Sequence, residues 1–210
     1  MRILLTMALP AQVTIPSLPV PLRWLGPPRS WESGEDSVSF SAGPRCDLFV
    51  DPAGAVSTGL ESPPMLVGEP AGDFALSARV GVDFASTYDA GVLVLYRDES
   101  CWAKLCFERS PQGQPTVVSV VNRRVSDDCN HFAVEGSRIW LRVARGGECF
   151  AFHASTDGAR WQLVRYFALD DAAGISVGFA AQSPTGEGCR VSFDEIRYEA
   201  GGVSDLRSGG

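Results

Sequence analysis

An all-β architecture, two antiparallel sheets packed as a sandwich or jelly roll, is what this 210-residue chain predicts. Three observations carry it. Helical periodicity is missing, while runs of alternating apolar and polar residues recur along the chain. The stretches between them, "SPQGQP", "RGGE", "STDGAR" and "SPTGEG", hold the Gly, Pro, Asp and Ser that tight turns use. Finally, no helical crossover separates the runs, so neighbours are expected to pair antiparallel.

Taken in order, "DFALSARVGVDF" places Phe74, Leu76, Ala78, Val80, Val82 and Phe84 on one side. "DAGVLVLYRD" is apolar on both faces, as a strand covered on two sides would be. "CWAKLCFER" sets Ala103, Leu105 and Phe107 against Trp102, Lys104 and Glu108, and "PTVVSVVNRR" follows it. In "SRIWLRVAR", Ile139, Leu141 and Val143 oppose Arg138, Trp140 and Arg142. "ECFAFHAST" gives Phe150, Phe152 and Ala154 to the core and turns His153 and Ser155 outward. "WQLVRYFAL" has no clear parity, because both its rows are mostly apolar. "GISVGFAAQS" buries Ile175, Val177, Phe179 and Ala181 and leaves Gln182 on the other row; "CRVSFDEIRYE" closes the series. The expected organisation is a mobile segment over 1–18, one domain over 19–199 and a flexible tail over 200–210.

Composition narrows the partners. Apolar residues are 45% and charged residues 20%, ordinary for a soluble globular chain. The net charge of −7 lacks the positive footprint that nucleic acid requires. No stretch is long and apolar enough to span a membrane. "MRILLTMALPAQ" makes a poor signal peptide, with one basic residue and a short apolar run cut by Pro10, so a cytoplasmic location is expected. The six cysteines, Cys46, Cys101, Cys106, Cys129, Cys149 and Cys189, show no CxxC pair, and the two histidines are His131 and His153. Reduced, mostly buried thiols are expected, and a zinc site is not.

The rows opposite the core carry the functional signal. Solvated sheet faces are ordinarily rich in Thr, Ser, Lys and Glu, and a plain wet face is the bland reading here. Trp102, Lys104, Glu108, Trp140, Arg142, His153 and Gln182 read instead as one ligand-binding face, with Arg165 as a further member. A Trp ring there would stack on a sugar, and the charges would fix its hydroxyls. If the charges are buried they must pair with one another.

The blocks "YDAGVLVLYRDESCWAKLCFERSPQGQPTVVSVVNRRVSDDCN", "WLRVARGGECFAFHASTDGARWQLVRYFAL" and "VGFAAQSPTGEGCRVSFDEI" resemble a concanavalin A-like domain family. Its members are often labelled regulation-of-enolase proteins. The likeness runs from about Leu22 to Tyr198, with "LRWLGPPRSW" near its start. It implies a concanavalin A-like jelly roll of two antiparallel sheets with a bent, concave face, and it implies no settled activity. Related folds include lectins, glucanases, polysaccharide lyases and keto-sugar hydrolases that use the concave sheet.

Several chemistries can be tried against these residues. A retaining glycosidase needs two carboxylates about 5 Å apart. Asp194 and Glu195 are adjacent and point to opposite faces, and no ExDxxE cluster of the laminarinase-like type is present. A lyase could draw cations and a proton shuttle from Lys104, Arg142, His153 and Gln182. A Ser-His-Asp triad lacks its G-x-S-x-G elbow. Lys104, Glu108 and His153 remain the catalytic candidates, with whether the chain is an enzyme left open. In "SDDC" a turn is the plain expectation; Asp127 and Asp128 are otherwise weak ligands for calcium, the one cofactor considered. "QSPTGEGC" reads as a rim loop or an ordinary turn. The leading expectation is a binding domain for a carbohydrate or similar small polar ligand, or a sugar-active enzyme. The alternatives are a protein-interaction module regulating metabolism and a biosynthetic enzyme reusing the same pocket.

Overall fold

Alternating apolar residues give one buried row per strand, and two such sheets close on each other. A computed structural model describes residues 9–54, 60–170 and 172–210. Its strands in chain order are β1 (Arg23–Leu25), β2 (Trp31–Ser33), β3 (Val38–Ser41), β4 (Met65–Gly68) and β5 (Phe74–Val82). β6 (Ala90–Asp98), β7 (Cys101–Arg109), β8 (Pro115–Arg123), β9 (Ser126–Ala133) and β10 (Arg138–Gly146) follow. β11 (Cys149–Ser155), β12 (Gln162–Ala168), β13 (Ser176–Gln182) and β14 (Arg190–Ala200) complete the set. They form two antiparallel seven-stranded sheets. The first runs β1-β4-β13-β6-β7-β8-β9, and the second β12-β11-β10-β5-β14-β3-β2. No helix occurs among the described residues, and none there is long and apolar enough to cross a membrane.

Every row assigned to the core by alternation is found there. Leu76, Ala78, Val80, Ala103, Leu105, Phe107, Ile139, Leu141, Val143, Phe150, Phe152, Val177 and Phe179 lie in one cluster between the sheets. Phe179 of the first sheet meets Phe193 of the second with ring centroids 4.8 Å apart, an attractive tilted contact. Gly91 sets how closely β6 approaches β5, because a Cβ there would come within 2.6 Å of Val80 Cγ1. The two-faced apolarity of β6 also has its cause: Val92 and Val94 join Met65, Val67, Cys106, Val118 and Ala180 in a second cluster on the far side of the first sheet.

That far side is crossed by the segment Cys46–Val50. At one end Cys46 and Ser183 exchange backbone hydrogen bonds; at the other, Val50 and Ser126 are joined through Ser126 N to Val50 O and Val50 N to Ser126 Oγ. Leu48 packs on the second cluster between them. Asp89, fully buried, accepts from the Ser183 hydroxyl at 2.6 Å and from Ala85 and Ser86 N–H, which steadies the first anchor.

One expectation needs correcting. "SDDC" is not a turn but part of β9, held by register with β8. Within the segment expected to be mobile, Val13 pairs with Leu22, and Val13 and Ile15 lie in the core, while residues 1–8 lie outside the described residues. At the other end, residues 203–210 turn back onto the second sheet, where Leu206 lies over Gly146.

Candidate functional site

Parity places Trp102, Lys104, Cys106 and Glu108 on the outer face of the first sheet, since their neighbours Ala103, Leu105 and Phe107 are in the core. Gln182, at the end of β13, falls on the same face because β13 and β7 flank β6. There they build a connected polar group. Lys104 Nζ donates to Asp47 Oδ1 at 2.7 Å and to Gln182 Oε1 at 2.9 Å. Gln182 Nε2 donates to Glu108 Oε2 at 3.2 Å and to the carbonyl of Tyr88 at 3.3 Å. Lys104, Glu108 and Gln182 are all buried in the sense that matters electrostatically, at 2%, 8% and 2% exposure. An ammonium so placed is tolerated only with a counter-ion, and Asp47 supplies it.

Burial drives the titration here. It pushes the Glu108 carboxyl up to about 8, with Lys104 opposing and Asp47 and Asp128 assisting. Burial works against the Lys104 ammonium, but Asp47, Cys106 and Glu108 outweigh it and raise its pKa. The Cys106 thiol, buried between them, is pushed well up. Near neutral pH the group therefore holds the Lys104 cation, ion-paired with Asp47, and a carboxylic acid at Glu108.

A cleft of about 500 Å³ opens over these atoms. Its lining combines the charged and hydrogen-bonding Arg45, Asp47, Lys104, Glu108, Asp128, Asn130 and Gln182 with the apolar Phe49, Leu60, Pro111, Val120 and Pro184 and the ring of Tyr88. The expected rim loop is present, because Pro184 and Thr185 of "QSPTGEGC" line it. Two of its lining residues, Arg45 and Tyr88, have positive φ of 51° and 69° without being glycine. Such backbone strain concentrates at binding sites.

The eight predicted site residues do not form one pocket. Lys104, Glu108, Gln182 and Trp102 belong to the first sheet, whereas Trp140, Arg142, His153 and Arg165 belong to the second. Strand order is the reason: β7 lies between β6 and β8, while β10, β11 and β12 turn to the other layer. Trp102 does share the face with Lys104, whose Nζ lies 5.9 Å from its ring centre, but at 1% exposure it is no platform for a ligand. Trp140 donates from Nε1 to Glu195 Oε2 and carries the Arg79 guanidinium over its ring. His153 is wholly buried and its pKa falls to about 4 through burial, so it is a neutral hydrogen-bonding group rather than a shuttle near pH 7. Arg165 bridges the edge between the layers, reaching Ser119 Oγ at 3.4 Å and Asp127 Oδ2 at 2.8 Å.

Asp127 and Asp128, the calcium candidates, are consecutive on β9 and therefore face opposite ways: Asp127 pairs with Arg165 and Asp128 borders the cleft. No group of three or more His, Cys, Asp or Glu side chains suited to a metal ion occurs among the described residues. Of the six thiols, Cys46, Cys101, Cys106 and Cys189 are buried, Cys149 is partly buried and Cys129 is exposed. The alternation test missed Asp47, Phe49, Tyr88 and Asp128. The first three sit outside the strands, and alternation says nothing about loops.

Residues 24–201 match the family described as "Protein of unknown function (DUF1349)". The chain belongs to this family. Its description says nothing of enolase. No curated protein matches the sequence. Among solved structures, a functionally unknown protein from Saccharomyces cerevisiae is similar at 25% identity and a TM-score of 0.77, with 85% of this chain and 96% of that one covered. A xylan β-1,4-xylosidase from Bacillus halodurans shares 17% identity at a TM-score of 0.62; 78% of this chain matches only 32% of that enzyme. The carbohydrate-binding module CBM66 from Bacillus subtilis shares 10% identity at a TM-score of 0.54, covering 84% and 95%. At these identities the last two speak for the fold: the DUF1349 chain shares its sandwich with carbohydrate-binding and glycoside-hydrolase proteins.

Proposed function

We propose that this DUF1349 chain binds a small polar ligand, a carbohydrate in the first instance, in the cleft on the outer face of its first sheet. The observation behind the reading is a cleft of about 500 Å³ whose lining mixes apolar side chains with charged and hydrogen-bonding ones. A pyranose has a face of C–H groups and an edge of hydroxyls, and the lining offers Phe49 and Tyr88 to the first and the Lys104–Gln182–Glu108 group to the second. The sandwich shared with CBM66 and the xylosidase lends support at the level of fold. Lys104 is already neutralised by Asp47, which favours a neutral sugar over a uronate.

A thermal-shift screen of neutral sugars, sugar acids and divalent ions, followed by a glycan array, tests it. At least one neutral mono- or oligosaccharide should raise the melting temperature saturably, and Tyr88→Ala should abolish that rise while leaving the ligand-free melt nearly unchanged. Silence towards every sugar, alongside capture of a protein partner by the same face, would replace this reading with the interaction-module one.

A second reading rests on Glu108. Its Oε2 accepts from Gln182, Oε1 makes no hydrogen bond among the described residues, and the carboxyl stays protonated to about pH 8. A carboxylic acid in a ligand cleft is a proton donor in waiting. On that reading Glu108→Gln keeps ligand affinity and loses turnover of the bound sugar; loss of both together would assign Glu108 to binding alone.

A further inference from the structure

The second sheet has its own unexplained charge. On its outer face, away from the cleft, Arg142 is 5% exposed. A buried guanidinium normally faces a carboxylate. Arg142 does not: its Nε donates to His153 Nδ1 at 3.4 Å, its Nη2 donates to the carbonyl of Gly209, and its Cζ lies over the Trp161 ring, 4.3 Å from the ring centre. Glu199 is the carboxylate felt there, and it acts through space without forming an ion pair. His153 donates from Nε2 to the carbonyl of Leu206 at 2.8 Å, which leaves Nδ1 as the acceptor for Arg142.

Both donors are thus answered by main-chain carbonyls of one turn, residues 203–210. The turn closes on itself through Asp205 N to Gly210 O at 2.9 Å and Gly209 N to Asp205 O at 3.0 Å. Gly209 fits because it is glycine: its φ is +78°, and a Cβ would lie 3.0 Å from Arg142 Nη2 and 3.1 Å from both His153 Cδ2 and Trp161 Cβ.

We propose that Arg142, His153 and Trp161 form an oxyanion-binding slot, which takes a carboxylate or phosphate group and which residues 203–210 cover. A neutral carbonyl compensates a buried cation only in part, whereas an oxyanion forms charge-assisted hydrogen bonds of roughly twice the strength. The Arg142 Nη1 group makes no hydrogen bond among the described residues, so the slot keeps a donor for a second oxygen. Arg142 presents the planar fork, His153 adds a neutral N–H, and the Trp161 ring lies against the guanidinium. The slot is independent of the cleft on the first sheet, and the proposal stands whatever that cleft binds.

Hydrogen exchange on the full chain tests it. The amides of Asp205 and Gly209 report the closed turn, and acetate and inorganic phosphate are the probes, with chloride at matched ionic strength as control. An anion that takes the slot must displace the turn, so exchange at these two amides should speed saturably, by about tenfold at saturation. Acetate acting alone would assign the slot to carboxylates, and phosphate acting alone to phosphates. Arg142→Lys, verified native by circular dichroism, should lose the effect. Gly209→Val, which drives the turn out, should bind the effective anion about tenfold more tightly. Exchange that ignores both anions, or rises equally with chloride or in Arg142→Lys, overturns the proposal. The wild-type measurement decides by itself should either variant fail to fold.

Discussion

Glu108 and Lys104 share one strand face, yet burial acts on them differently. The carboxyl of Glu108 titrates near its ordinary 4.5 when unfolded and near 8 when folded. The folded state therefore holds the proton more tightly, and its contribution to stability is full below about pH 4.5 and is lost as pH rises through 8. The melting temperature of Glu108→Gln relative to the native chain should accordingly climb between pH 5 and pH 9; a difference that stays flat across that range would contradict the burial argument. Lys104 and Asp47 pose the opposite case. Lys104→Met strands the Asp47 carboxylate and should cost about 3 kcal/mol, while adding Asp47→Asn to that variant should restore a good part of it. Chemical denaturation of the four proteins in this cycle measures the coupling. From sequence, any buried charges among Lys104, Glu108 and Arg142 were expected to pair with one another. The actual counter-ion of Lys104 is in a loop, where no periodicity marks it, and Arg142 is on the other sheet.

Strand by strand, alternation told inside from outside without error on β5, β7, β10, β11 and β13, because a pleated strand half-buried in a sandwich must alternate. It failed where that condition fails. β9 is an edge strand whose charged residues look like a turn, since its free edge is blunted by Asp127 and Asp128. The Cys46–Val50 segment pairs through isolated bonds, Cys46 with Ser183, Asp47 with Glu61 and Val50 with Ser126, so it leaves no repeating pattern. Its anchor is testable. Ser126 Oγ accepts from Val50 N at 2.9 Å and donates to Asn122 Oδ1 at 3.2 Å. Ser126→Ala should lower stability by about 1–2 kcal/mol and weaken ligand binding through the displaced Asp47. An unchanged affinity would show that the bonds of Cys46 to Ser183 and of Asp47 to Glu61 suffice to place Asp47.

For the molecule as a whole, two apolar rows meet at a distance that Gly91 permits. Gly91→Val would drive two methyl groups into Val80 and Val82, and overpacking of that kind costs about 1–3 kcal/mol or more. A melt of the purified variant checks this; native stability would mean that the sheets can separate locally at no cost. By itself the sequence determined the all-β class, most of the strands from β5 onward and the core-facing row of β5, β7, β10, β11 and β13, because these follow from local turn chemistry and a two-residue period. It also determined which side chains must be accounted for: Lys104, Glu108, Gln182, Arg142 and His153 are all buried and all hydrogen-bonded. The tertiary structure alone decided who meets whom. Two strands with identical alternation are indistinguishable until their order in a sheet is known, since an outward row on one layer and an outward row on the other read alike. Sheet order, set by long-range pairing such as β13 with β6 and β14 with β5, sent Lys104 to a cleft on one face and Arg142 to a covered slot on the other.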